Sequence, residues 1–379
     1  MKIGLVTTLN TNIGDDFIRE GILHCIRKII PEKKLELVLL NKHQPHTVYP
    51  SWHPIRKLYR EEFKPRRKTK TLRWLAERWL PPLGHTVFDD CDVLLQCGTP
   101  VIWDGCRHSE WARFIWRDVL ARLAHAGKPL LNLGGGAGYP WLRQPETLIG
   151  NPDEEFIRLM LTAAQLTTVR DRLAQKLFGS LGQDVPQICC PALLTAQAYV
   201  APAKPTRKVL VNYMPGAGFS DFGQGIDAKL WEETMCKIVT HLEQLGWQPL
   251  LLAHNATELA AAEKLWPQLP RVCPGSLREY FEVARDAAFG VFNRMHASVA
   301  VAGLGIPSVA VGTDARMLMV ESVGSQFCFV KDATPERMFA VIDDLLRNRE
   351  RESERLLALR EATLQAYIER MRGYFVPGS

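Results

Sequence analysis

Three features of the sequence predict an α/β protein built from two Rossmann-like, doubly wound domains. Short apolar runs bounded by turn residues alternate with segments of helical period, the pattern of a parallel sheet covered by helices on both faces. That alternation stops at VAPAKPTRK (200–208), rich in proline, alanine and basic residues, and then starts again. The length, 379 residues, exceeds what one ordinary core supports. The expected organisation is a first domain over 1–200, a second over 208–350 and a helical tail over 351–379.

In the first domain the strand-like runs are KIGLVTT (2–8), LELVLLN (35–41), CDVLLQCG (91–98), KPLLNLGGG (128–136) and TTVRD (167–171). Between them, SEWARFIWRDVLARLAHAG (109–127) sets Trp111, Phe114, Ile115, Val119, Leu120 and Leu123 near one helical face. The second domain repeats the rhythm with KVLVNYM (208–214), the helix WEETMCKIVTHLEQLG (231–246), WQPLLLAHN (247–255), AAFGVFN (287–293), SVAVG (308–312) and FCFVK (327–331). From Thr334 to Arg372 the chain is helix-forming and charged with no strand after it. Such a tail is expected to pack across the domain junction.

Charge is placed unevenly. The formal net charge is +6, yet the 56–78 segment alone carries +7, so the rest of the chain is nearly neutral. This basic strip and the two residues after it also hold Leu72, Trp74, Leu75, Trp79 and Leu80. No nucleic-acid recognition motif accompanies it, and the expected uses are a peripheral contact with anionic lipid through Arg56–Arg78 or a solvated loop. The nine cysteines show no C-x-x-C or Cys/His pattern, which points to reduced thiols in a cytoplasmic protein and away from disulfides or zinc. No apolar run approaches the ~18 residues of a membrane span, and the chain starts directly with a strand and no leader of signal type.

Ligands of open parallel sheets sit beyond the carboxyl ends of the strands, so the residues there are the site candidates. After the first strand come Asn12, Gly14 and Asp15. Gly14 admits close backbone approach, Asp15 or Asp16 suits an N-cap, and the helix N-terminus suits an anion. The same residues also fit a plain N-cap. The loop LGGGAGYPW (133–141) contains Gly135 and Gly136, read either as open backbone amides for an oxyanion or as a tight turn. Arg170 ends a strand and is placed to clamp a carboxylate or phosphate, or else to pair with Asp171 or Asp15. His254 ends another strand, where it touches a ligand or caps the next helix. Arg294 and His296 bracket a strand-to-helix turn, giving a cation beside an imidazole whose ordinary pKa is about 6.5.

Taken in order, N-x-G-D (Asn12, Gly14, Asp15), the glycine-rich loop, V-R-D (169–171), C-P-A-L-L (190–194) and R-M-H-A followed by G-I-P (294–297 and 305–307) resemble the motifs of the polysaccharide pyruvyl transferase family over nearly the whole chain. Cys190 stands where the family pattern has Asp. The resemblance implies a GT-B-like arrangement of the two domains and transfer of the enolpyruvyl unit of phosphoenolpyruvate to a sugar diol, with a saccharide acceptor that is lipid-linked in many members. It implies roles in donor binding and acid catalysis for Arg294 and His296. Asp15 is then the candidate base, Arg170, Asn12, Gly14, Gly135, Gly136 and His254 the donor-binding candidates, and neither metal nor organic cofactor is required. The competing reading is a GT-B glycosyltransferase with a nucleotide-sugar donor. Against it, the helix 297–303 lacks the acidic pair such enzymes place there, and Asp90-Cys91-Asp92 precedes a strand instead of ending one.

Overall fold

The computed structural model describes residues 1–9, 13–54, 56, 85–97, 100–109, 111–218 and 220–376. Asn12 and nearly all of the basic strip, from residue 57 to 84, lie outside them. The first sheet contains β1 (Lys2–Thr7), β2 (Glu36–Asn41), β3 (Val93–Cys97), β4 (Pro100–Ile102), β5 (Leu130–Ala137) and β6 (Leu166–Val169). They run parallel in the order β2-β1-β3-β5, with β4 and β6 also pairing with β5. The second sheet, also parallel, contains β7 (Lys208–Asn212), β8 (Gln248–Leu252), β9 (Arg271–Val272), β10 (Phe289–Phe292), β11 (Ser308–Gly312) and β12 (Gln326–Phe329). Its order is β12-β11-β10-β7-β8-β9, the doubly wound order in which the chain reverses direction beside its first strand.

The central strands are continuous apolar runs because both faces are covered; every residue of β3, β5, β10 and β11 is buried. The covering helices are α1 (Ile13–Ile29), a π-helical stretch Trp111–Leu120 running into α2 (Ala121–His125), α3 (Glu154–Ala163), α4 (Arg172–Ser180), α5 (Ala228–Gln244), α6 (Ala256–Leu265), α7 (Leu277–Ala284), α8 (Met295–Ala302), α9 (Leu318–Ser322) and α10 (Pro335–Phe375). Asp171, Asp227, Asn255, Ser276 and Thr334 each accept a backbone N–H at the start of the helix they precede, which removes an otherwise unpaired donor from each end.

One apolar core runs from α1 through the 3₁₀ segment Pro191–Ala198 into α8, α10 and the second sheet, joining the domains; a second lies on the other face of the first sheet. The joint is tight where α1 meets that segment: a Cβ on Gly21 would lie 1.9 Å from the Pro191 carbonyl oxygen. The tail crosses the junction as expected. Along α10, Arg360 Nη1 donates to the Gly303 carbonyl (2.8 Å), Tyr367 Oη to Cys189 (3.3 Å) and Tyr374 Oη to Gln165 (3.2 Å). The helix is unbroken from Pro335 to Phe375, so the division drawn at 350/351 falls inside it. The domains also touch where residues 139–141, after β5, meet residues 313–315, after β11: Pro140 bridges Asp314, and the Ala315 N–H donates to the Tyr139 carbonyl (2.8 Å).

Candidate active site

Two buried asparagines at the ends of β7 and β10 fix the second-domain wall of the cleft. Asn212 accepts the Arg294 N–H (3.0 Å) and donates to Leu252 O (3.0 Å) and to Glu258 Oε2 (2.9 Å). Asn293 accepts the Met214 N–H (2.8 Å) and donates to Val311 O (2.9 Å). With its backbone pinned, Arg294 stands at the N-cap of α8 and His296 in the first turn. The Arg294 guanidinium is itself held: Nε donates to Glu258 Oε1 at 2.8 Å and Nη2 to the same oxygen. Arg316, placed by the contact between the domains, is likewise bound by Asp314 through Nε (2.8 Å) and Nη2 (2.5 Å).

The first domain supplies the opposite wall. Asp15 lies in the first turn of α1 and Lys42 directly after β2, where its N–H continues the ladder onto Thr7 O (2.9 Å). Asp15, Lys42, Arg294, His296 and Arg316 line one cavity of about 180 Å³ between the domains. Arg170 sits behind this surface, only 1% exposed, and its Nη1 approaches His296 Nε2 at 3.2 Å. A guanidinium can only donate, so Nε2 accepts and the imidazole proton is on Nδ1.

Residues 12–315 match the model of the polysaccharide pyruvyl transferase family. The chain belongs to that family. It is therefore a transferase. A search of curated protein sequences finds no match. Among solved structures, the S. aureus MnaA–UDP co-structure is 12% identical over 98% of this chain and 96% of its own, with a TM-score of 0.54. The UDP-GlcNAc 2-epimerase of Neisseria meningitidis bound to UDP-GlcNAc is 11% identical over 98% and 99%, with a TM-score of 0.53. At that identity the likeness establishes the fold, a GT-B-type pair of α/β domains.

For this pyruvyl transferase the electrostatics follow from burial and pairing. His296 is held well below its ordinary pKa, by burial first and then by Arg170 and Arg316. Burial raises Asp15, with Lys42, Arg170 and Arg316 opposing. Lys42 is pushed down to about 8, again by burial, while Asp15 opposes the shift. Among the described residues, Arg170 Nε and Nη2 are buried without a hydrogen-bond partner. Cys190, in the position where the family pattern has a carboxylate, puts its Sγ 3.9 Å from Arg170 Nη1.

The structure brings Asp15, Arg294 and His296 to one cavity and sets Arg170 against His296. Three other sequence expectations are placed differently. Gly135 and Gly136 are not in an open loop but inside β5, where the Gly135 carbonyl accepts the Arg170 N–H (2.8 Å) and a Cβ on Gly136 would lie 2.6 Å from Arg170 Nε. The glycines make room for the arginine. His254 does not line the cavity; it is packed edge-on against Phe17 and Tyr280 behind Glu258, and burial lowers its pKa to about 4. Asp171 does not pair with Arg170 but caps α4, accepting from Ala174 N (2.8 Å), and Asp16 pairs with Arg19. Gly14 is buried in the first turn of α1, and Asn12 is outside the described residues.

Sequence reasoning passed over Lys42 and Glu258 as site residues, and noted Arg316 only as the end of Thr313-Asp314-Ala315-Arg316, which stands where the family pattern has a Y-x-x-K-like element. Lys42 satisfies the criterion that singled out Arg170, a cation directly after a strand. Asn255 and Glu258 read as a capping pair, and they do make reciprocal 2.9 Å bonds. That the same carboxylate also binds Arg294, 36 residues away, has no local signal.

Proposed function

We propose that the protein transfers the enolpyruvyl unit of phosphoenolpyruvate to a diol of a saccharide, forming a pyruvate ketal and releasing phosphate. The observation that carries the reading is the convergence of His296 with Lys42, Arg294 and Arg316 on one cavity between the domains. Its volume of about 180 Å³ is below the roughly 300 Å³ at which sites for drug-sized ligands begin, and suits a three-carbon phosphate better than a nucleotide sugar.

The free protein keeps His296 neutral, because it is buried and a guanidinium faces Nε2. A donor carrying a carboxylate and a phosphate offsets the surrounding positive charge, and the imidazole takes up a proton as the donor binds. The imidazolium then gives one of its two protons to the vinyl methylene, making the methyl group and an oxocarbenium-like centre at the neighbouring carbon. One acceptor hydroxyl attacks this carbon as Asp15 accepts its proton. The bond from the carbon to the phosphate oxygen then breaks, the second hydroxyl closes the ring, and its proton leaves with the phosphate. Among the described residues no group of three His, Cys, Asp or Glu is arranged to hold a metal ion.

The acceptor we propose is a sugar of a cell-surface polysaccharide or its lipid-linked precursor, reached at the inner membrane face. No described helix is long and apolar enough to cross a membrane, and the basic strip over 56–78 is the candidate peripheral contact. Sedimentation with anionic vesicles that weakens as salt is raised supports that contact; salt-independent or absent binding removes it. The function itself is tested by incubating the protein with phosphoenolpyruvate and a panel of glycosides, following phosphate release and a ketal methyl signal by NMR. Turnover of a nucleotide sugar with none of phosphoenolpyruvate would replace this reading by glycosyl transfer.

A further inference from the structure

Of the three cations lining the cavity, two are already bound: Arg294 by Glu258 and Arg316 by Asp314, each through the Nε–Nη2 edge that would otherwise grip an oxyanion. Lys42 is different. Among the described residues its ammonium has no ion pair and no hydrogen bond, and its backbone is fixed at the end of β2 by the bond to Thr7. We propose that Lys42 holds the phosphate of the donor, and the inorganic phosphate once it is released; this rests on the donor reading above.

An ammonium is a compact charge with three donors and no fixed fork, so it follows a phosphate whose oxygens shift as the ester bond breaks. The charged groups facing it are Asp15 on α1, Arg170 after β6 and Arg316 after β11, with His43 next in the chain. Two cations and one carboxylate leave this corner net positive. Burial and the two arginines bring Lys42 to about 8, so it is charged near neutral pH and loses that charge as the pH rises. Anion affinity should therefore fall as pH passes through about 8.

The test is calorimetric titration of the full chain with phosphoenolpyruvate and, separately, inorganic phosphate, at pH 7 and pH 9. Lys42→Ala is expected to weaken both about 30-fold at pH 7, the scale of one charged hydrogen bond, with thermal melting unchanged. Lys42→Arg is expected to keep affinity at pH 7 and to make the fall between pH 7 and 9 shallower for both anions, leaving for phosphoenolpyruvate only the part linked to proton uptake at His296; a merely structural role for the lysine would not do this. The proposal is overturned if folded Lys42→Ala binds both anions like the parent, or if Lys42→Arg retains the same pH dependence. The two readings separate cleanly. Lys42-dependent binding of phosphate without binding of phosphoenolpyruvate removes the donor and keeps the lysine's role; binding of phosphoenolpyruvate indifferent to Lys42 does the reverse; binding of neither removes both.

Discussion

On the second-domain side of the cleft each arginine has its own carboxylate, Glu258 for Arg294 and Asp314 for Arg316, whereas on the first-domain side Arg170 and Lys42 have none among the described residues. The paired side is pinned by these bonds and close to neutral before any ligand arrives. On the unpaired side Asp15 offsets part of the charge of Arg170 and Lys42 without an ion-pair contact to either, and the excess is positive. On the function proposed above, the difference separates two tasks that one set of arginines would perform poorly: presenting His296 in a fixed place, and drawing in a small, highly charged donor.

The largest expected effects probe the group that both sides share. His296→Ala and Arg294→Ala should each lower turnover at least about 100-fold with melting unchanged for His296→Ala, the scale of a lost acid or a lost fixed charge. If His296→Ala retains near-parental turnover, the cleft is not the reaction centre. Glu258→Ala should destabilise the fold by about 3 kcal/mol in denaturant titration, because it strands a partly buried guanidinium and frees the Asn212 side chain. A loss of a few tenths would mean that the paired side is not rigid.

The acid limb of stability tests how closed the paired side is. His254 titrates near 4 when folded and near its ordinary value when unfolded, so between those pH values the unfolded chain binds the extra proton and stability falls as pH drops. The loss from this residue amounts to something on the order of 3 kcal/mol by pH 4. His254→Leu, which removes two unpartnered ring nitrogens, should flatten that limb; an unchanged limb would mean that the ring is reached by water. The smallest effect is the most discriminating. Arg170→Met should raise ligand-free stability by about 1 kcal/mol, since it removes a buried charge with no carboxylate in ion-pair contact and two unpartnered nitrogens, Nε and Nη2, while lowering turnover and abolishing proton uptake on donor binding. A destabilised Arg170→Met would show that the guanidinium is satisfied in the free protein, and the contrast between the two sides would vanish.

The two sheets and the helix across their junction were legible because each depends on periodicity within a few residues of chain. The Arg294–His296 pair was legible as well, since its spacing and its place after a buried strand are local facts. The glycine run 134–136 misled: written out, it looks like a loop, but a strand packed against a guanidinium needs the same absence of side chains. His254 and Arg170 ended strands as read, yet one is sealed behind Glu258 and the other lies behind His296.

By itself the sequence determined the architecture and singled out the Arg294–His296 turn after a buried strand, because hydrophobic period and residue type are properties of short segments. Which cations are neutralised and which stay available was decided only by tertiary structure. Ion pairing depends on distances of a few ångströms between residues as far apart as Glu258 and Arg294, or Arg170 and His296, and nothing in the linear order of charges encodes those distances.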